Sequence, residues 1–410
     1  MKTWRYFLLI WLLTFPMVAS ALNTPKVVIV LTTPSEDALG AIRLLVNEFN
    51  AKQFNIVVKH KLLSTSSDDC HNFYLTSFMA RSDSFDVFSG DIIWTPEFAS
   101  SGWLEPLDPF FKKEERAEFL PGAIKGCTYQ GKIWAVPWYT DFGILFYRKD
   151  IVSKPPRTWA ELISLAKEKI KNGKVKYGYV FQGNQYEGLV CNTLEFIFNN
   201  GGDVLDGNKV VINSPQAIEG LQILIDLMKI CPQEVIYFQE EDSRLAFQDG
   251  HILFLRNWPY DWNLLNQEGS PVKGKIAVAP LPVGPKGTTG GGTLGGWNLM
   301  INRFSKNKQA AWKFIEFMTS VEGQKTNSII GGRLPTRTAV YKEPKVLEKN
   351  PYYSGFLTAY SRSKPRPVSP FYPAISESMQ INFYKAITGR VDAKTAISNI
   401  EADMRKILAQ

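Results

Sequence analysis

The sequence predicts an α/β protein of two lobes with a ligand cleft between them. Three observations point there. At 410 residues the chain is long enough to fill two separate cores. After residue 25 it opens strand–helix–strand, the start of a parallel sheet. And Ala135–Asp150 (AVPWYTDFGILFYRKD) begins and ends as a buried strand but sets Trp138, Tyr139 and Asp141 in its middle. Two large aromatics and a carboxylate after a proline suit a polar, ring-shaped ligand better than a dry core, so this stretch is read as a crossing between lobes.

The first 21 residues read as a secretory leader. Lys2 and Arg5 make a charged start, Tyr6–Leu13 an apolar centre, and Ala19-Ser20-Ala21 a small-residue cleavage site. The apolar run, broken by Pro16, is short for a membrane span; an uncleaved anchor is the alternative. Cleavage after Ala21 takes the formal net charge from +8 to +6. No Cys follows the leader closely, so a lipid anchor is not expected and the mature protein is placed in the periplasm. No basic run is clustered, which speaks against nucleic-acid binding.

Lys26–Thr32 (KVVIVLT) reads as a buried strand. A helix with Leu39, Ile42, Leu45, Val46 and Phe49 on one face follows, then a strand over Asn55–Leu62. Glu36 falls at the carboxyl end of the first strand, where such sheets hold ligands, although a helix N-terminus also favours a carboxylate there. Ser84–Gly90 is a third strand, and Asp91 stands just past it, as a ligand contact or a turn aspartate.

Beyond the crossing, Thr158-x-x-Glu161 is a capping-box signature. Phe181–Gly188 (FQGNQYEG) reads as a polar loop, and Ser214-Pro215 opens a helix with a cap and an N1 proline. Asn257–Trp262 (NWPYDW) follows an apolar strand. Trp258, Tyr260 and Trp262 cannot all enter one core; they suit a stacking platform for a sugar ring, with a structural aromatic cluster as the alternative. Thr289–Trp297 (TGGGTLGGW) formally contains G-x-G-x-x-G, but a strand follows where a dinucleotide site needs a helix. The glycines fit close backbone approach at a second crossing, with Trp297 facing the gap. Gly331–Pro335 is a turn. Arg366, between Pro365 and Pro367, is a candidate fixed hydrogen-bond fork, with a solvated arginine as the alternative. An amphipathic helix over Val391–Leu408 closes the chain.

Cys70, Cys127, Cys191 and Cys231 show no C-x-x-C spacing. In an oxidising compartment three pairings are open. Cys70–Cys127 and Cys191–Cys231 are favoured because each pair lies within one lobe; four buried thiols are the alternative. His60, His71 and His251 are scattered, and no metal or cofactor is expected.

DVFSGDIIWTPEFASSGWLEPLD, AVPWYTDFGILFYRKD, FQGNQYEGLVC, RNWPYDW, SPVKGK, APLPVGP, LGGWNL and PRPVSPFYPAISE together resemble the extracellular solute-binding proteins of carbohydrate ABC importers, most of all their trehalose/maltose-binding branch. The resemblance spans essentially the mature chain. It implies the two-lobe periplasmic-binding-protein fold (type II) with a multi-strand hinge, an N lobe of 22–139 plus 296–345 and a C lobe of 140–295 plus 346–410. It also implies a carbohydrate ligand, ABC permease subunits as partners, a monomer and no catalysis. Residue by residue it implies ligand contacts at Glu36, Asp91, Tyr139, Asp141, Trp258, Tyr260, Gly296, Trp297 and Arg366. Trp138 becomes hinge packing. An arginine that the family carries near the second strand has no counterpart in Ser64–His71, where Asp68, Asp69 or His71 is left to take its place. The ligand is therefore open among trehalose, maltose, sucrose and a glucosyl-polyol such as glucosylglycerol. A binding protein for glycerol phosphate is an alternative that three carboxylates against one arginine disfavour. A secreted glycoside hydrolase using a pair among Glu36, Asp91 and Asp141 is a second.

Overall fold

The computed structural model describes residues 26–34, 39–207 and 209–409, the side chains of 354–357 excepted. The expected leader and Glu36 lie outside the described residues. Strands β1 (Val27–Thr33), β2 (Ile56–Leu62), β3 (Val87–Asp91), β4 (Val136–Phe142), β5 (Ile144–Arg148), β6 (Tyr177–Val180), β7 (Ile252–Asn257), β8 (Ile276–Ala279), β9 (Leu294–Ile301) and β10 (Leu334–Pro335) form two sheets. One has the order β10-β4-β9-β3-β1-β2 and the other β8-β5-β7-β6. In the first, β1 runs parallel to β2 and β3, and β9 is antiparallel to β3 and β4. In the second, β5 is antiparallel to β7 and β8.

Each sheet carries its own core. Ile29, Leu31, Phe88 and Leu299 belong to the first and Leu145, Phe146, Val180 and Phe254 to the second. The helix Ala41–Lys52 turns Leu45, Val46 and Phe49 onto the first sheet while Ile42 is only half-buried. The expected capping box forms at Thr158 and Glu161, and Ser214 caps the helix Pro215–Leu227. Two such layered bodies, one per sheet, make the two-lobe fold.

The chain passes from β4 to β5 over Gly143 alone. A methyl group there would strike the Glu195 carboxylate and Arg256. The return crossing, Gly291–Thr293, lies directly on it: a methyl on Gly292 would collide with the Gly143 backbone. The glycine-rich stretch is thus the price of laying two crossing strands backbone to backbone. β9 begins at Leu294, three residues ahead of the strand expected from Trp297, because its first residues pair with β4 as Leu294 with Phe142 and Gly295 with Asp141.

Two expectations need correction. The expected polar loop Phe181–Gly188 ends at Tyr186. Glu187 opens a helix, Glu187–Phe198, in which every residue is buried. Such a helix has no polar face, so it shows no amphipathic stripe in the sequence. The expected disulfides do not form either. All four cysteines are buried free thiols, with Cys70 Sγ donating to Ser64 O (3.2 Å) and Cys231 Sγ to Leu227 O (3.3 Å). Burial pushes the thiols of Cys127, Cys191 and Cys231 up, so they act as small apolar groups.

Candidate functional site

Asp91, Asp141, Trp258, Tyr260, Gly296, Trp297 and Arg366, brought from both sheets, line one pocket between the lobes. Tyr139 is not among its lining residues. It lies on β4 two residues before Asp141, with Arg333 over its ring. Trp138 is buried at 5.0 Å from Tyr139, ring centre to ring centre.

Asp91 is the last residue of β3 and caps the turn that follows, accepting from Ile93 N at 3.2 Å. Its carboxylate receives Arg366 as a fork, Nη2 to Oδ1 at 2.7 Å and Nη1 to Oδ2 at 3.3 Å. The same Nη1 donates to Glu187 Oε1 at 2.8 Å. Arg366 therefore joins a strand end of one lobe to a helix start of the other with charge-assisted bonds. Its Nε is buried without a hydrogen-bond partner. Glu187 also accepts from Tyr372 Oη (2.6 Å) and from Ser376 Oγ. Burial raises its carboxyl above the usual range against the pull of Arg366. Burial would lower the Arg366 guanidinium, but Asp91 and Glu187 outweigh it and the group stays firmly charged.

The aromatic wall is equally built. The Trp258 ring has Arg256 Cζ over it at 4.1 Å, and its Nε1 donates to Glu240 Oε1 at 3.3 Å. Glu240 also accepts from Tyr186 Oη at 2.7 Å, and burial raises its carboxyl. Trp297 stands beside Asp91 on one neighbour strand and Tyr139 on the other, edge-on to Trp94 at 5.4 Å. A bulge against β4 follows at Trp297/Asn298, the kind of local kink that re-aims a side chain. Gly296 before it has φ +126°, and a Cβ there would fall 2.6 Å from Tyr139 O. Only glycine fits this position.

Of the three residues left to replace an arginine near the second strand, none lines the pocket; Thr65 and Ser67 do. Asp68 accepts from Ser67 Oγ at 3.3 Å, and burial raises its carboxyl against the opposing pull of the Glu187 backbone and Gln380. Asp69 accepts from Ser64 Oγ at 2.8 Å, and His71 pairs with Glu97 at 2.6 Å. Sequence reasoning missed Glu187, Glu240, Tyr186 and Arg333, all of which line the pocket. The only signal for Glu187 and Tyr186 was the concentration of polar and aromatic residues in Phe181–Gly188. Among the described residues no group of three or more His, Cys, Asp or Glu is placed to hold a metal ion. What the pocket offers is acceptors, guanidinium donors and aromatic faces, the set that a ligand of many hydroxyls and apolar CH patches requires.

A family model for bacterial extracellular solute-binding proteins matches residues 33–325. A Deinococcus radiodurans protein named "Probable ABC transporter-binding protein" is 33% identical over 373 residues, covering 87% of this chain and 88% of its own. A maltotriose-binding protein of Pyrococcus abyssi is 26% identical over 307 residues, 72% of this chain and 64% of that protein. Maltose-bound T. maritima MalE3 aligns at TM-score 0.89 and 41% identity, over 93% of this chain and 100% of that one. An ABC transporter solute-binding protein of Thermotoga lettingae bound with α-D-tagatose aligns at TM-score 0.85 and 27% identity, over 93% and 100%. No helix among the described residues is long and apolar enough to cross a membrane.

Proposed function

The chain belongs to the bacterial extracellular solute-binding proteins and is of their carbohydrate ABC transport kind, and we propose that its ligand is a neutral disaccharide or glucosyl-polyol of the trehalose, maltose, sucrose or glucosylglycerol type. The bound form docks on the permease subunits of an importer. Residues 1–21 are a cleaved leader and the mature monomer works in the periplasm. The lobes are 22–139 plus 296–345 and 140–295 plus 346–410, to within the few residues by which β4 runs on to Phe142 and β9 starts earlier at Leu294.

The observation that carries this reading is the mixed lining of the cleft: carboxylates and arginines interleaved with Trp258, Tyr260 and Trp297. Carboxylates accept from pairs of sugar hydroxyls, a guanidinium donates to their oxygens, and aromatic rings cover the CH faces. Asp91, Asp141, Glu187 and Glu240 outnumber Arg333 and Arg366 in that lining, which disfavours a dianion such as glycerol phosphate. Asp91 is committed to Arg366, and Asp141 lies 3.7 Å from Arg333 Nη1. Held as ion pairs, these carboxylates make poor partners for acid–base cleavage of a glycoside.

A ligand gripped from both lobes favours the closed arrangement by its differential affinity for it. Micromolar binding corresponds to roughly 8 kcal/mol, within reach of several hydrogen bonds and stacked rings. The test is calorimetric titration of the mature protein against disaccharides, glucosyl-polyols and glycerol phosphate, with an assay for released reducing sugar. Saturable binding of a neutral sugar without cleavage is expected. Binding of glycerol phosphate alone, or release of reducing sugar, would refute the reading.

A further inference from the structure

Arg333 lies in Gly331–Pro335, which the sequence marks only as a turn, yet it is the second arginine of the cleft. It follows the helix Val321–Gly331, which ends on Gly332 at φ +68°. The backbone there is held hard. Arg333 O accepts from Ser328 Oγ at 2.7 Å and from Tyr353 Oη at 3.1 Å. A Cβ on Gly332 would lie 3.1 Å from Tyr260 O, so this turn rests directly on the segment that carries Tyr260.

The side chain is as fixed as the backbone, at 8% exposure. Its Cζ lies 4.1 Å from the centre of the Tyr260 ring and 4.8 Å from that of Tyr139. Nη1 stands 3.7 Å from Asp141 Oδ2. Tyr139 and Asp141 lie on β4 in one sheet, whereas Tyr260 follows β7 of the other. One guanidinium thus gathers an aromatic face from each lobe and a carboxylate of the crossing strand. All guanidinium donors lie in the plane of the group. Rings over the cation therefore leave that edge as the part able to meet Asp141 and the pocket.

We propose that Arg333 is a further ligand-positioning residue of the cleft, which sets Tyr260 and Asp141 toward each other and donates from its planar edge to a hydroxyl or ring oxygen of the bound sugar. Tyr139, expected as a direct contact, acts through Arg333 as the face beneath it. This rests on the sugar-binding reading above. Lysine keeps the charge but has neither the plane nor the fork, so charge alone does not restore the function.

The test titrates wild type, Arg333→Lys and Arg333→Gln with trehalose, maltose, sucrose and glucosylglycerol, and follows thermal unfolding of each protein without sugar. Both variants are expected to bind about tenfold or more weakly, with ligand-free unfolding midpoints within about 2 °C of wild type. The Arg333→Gln loss should be smaller on an Asp141→Asn background, which a purely structural role does not require. Should Arg333→Gln fail to fold, the lysine variant decides. Wild-type affinity in Arg333→Lys would overturn the proposal, as would a loss matched by an equal fall in ligand-free stability. A wild type that binds no sugar would instead overturn the sugar-binding reading itself.

Discussion

Arg256 and Arg366 are both buried and both paired with glutamate, but they sit in different regions. Arg256 is inside one lobe. Its Nε and Nη2 hold Glu195 at 2.8 and 2.5 Å, and Nη1 donates to Gln182 at 2.9 Å. Glu195 in turn accepts from Thr293 N on the return crossing at 3.0 Å. Arg366 lies between the lobes, divides its donors between Asp91 and Glu187, and keeps a buried Nε with no partner. The first arrangement is closed on itself and ties the hinge to the core. The second spans a gap, and its spare donor is the chemistry of a site.

The difference predicts opposite phenotypes. Arg256→Met leaves the Glu195 carboxylate buried and uncompensated where no motion of the lobes can rehydrate it. The expected loss is about 3–5 kcal/mol of unfolding free energy, read from denaturant titration. Arg366→Gln leaves Asp91 and Glu187 unpaired as well, but lobes that part can return both to water. Here the loss should appear in sugar affinity, about 2–3 kcal/mol or 30- to 150-fold, with a much smaller change in ligand-free stability. If the two variants lost stability alike, the distinction between fold-holding and site-forming arginines would be gone.

Smaller effects sharpen the contrast. Gly296→Ala forces a side chain onto a positive φ and against Tyr139 O. It should cost about 1–3 kcal/mol and displace Trp297, so calorimetry should show weaker binding together with lower stability. Asp261 offers the smallest change. It is fully buried with both carboxylate oxygens unpartnered, and burial, reinforced by Glu241, raises its carboxyl well above the ordinary range. A raised carboxylate costs stability as pH climbs from the ordinary value through the folded one, because the unfolded chain ionises first. Asp261→Asn should therefore be more stable than wild type by about 1 kcal/mol at neutral pH. The advantage should shrink as pH falls toward the ordinary carboxylate range. A difference that does not vary with pH would refute the assignment.

How far the sequence carried this picture depends on the kind of residue. Asp91, Trp258, Trp297 and Arg366 were legible because strand ends, prolines and glycines marked them as unfit for a plain core. Tyr139 sat in the same stretch, but which of two rings faces the cleft depends on what covers the other, and Arg333 comes from a distant turn. Glu187 was hidden by a helix buried on every side, where no amphipathic period exists. The cysteines illustrate the limit of spacing: even within one lobe, separation along the chain does not report the geometry that a disulfide demands.

The claim on which the rest depends is that the ligand is held by both lobes at once, with Arg366 between them. Small-angle scattering of the mature protein, with and without a saturating sugar found by titration, tests it most directly. A grip by both lobes gives a smaller radius of gyration in the sugar-bound protein and a weaker contraction in Arg366→Gln. Identical dimensions with and without bound sugar would contradict it.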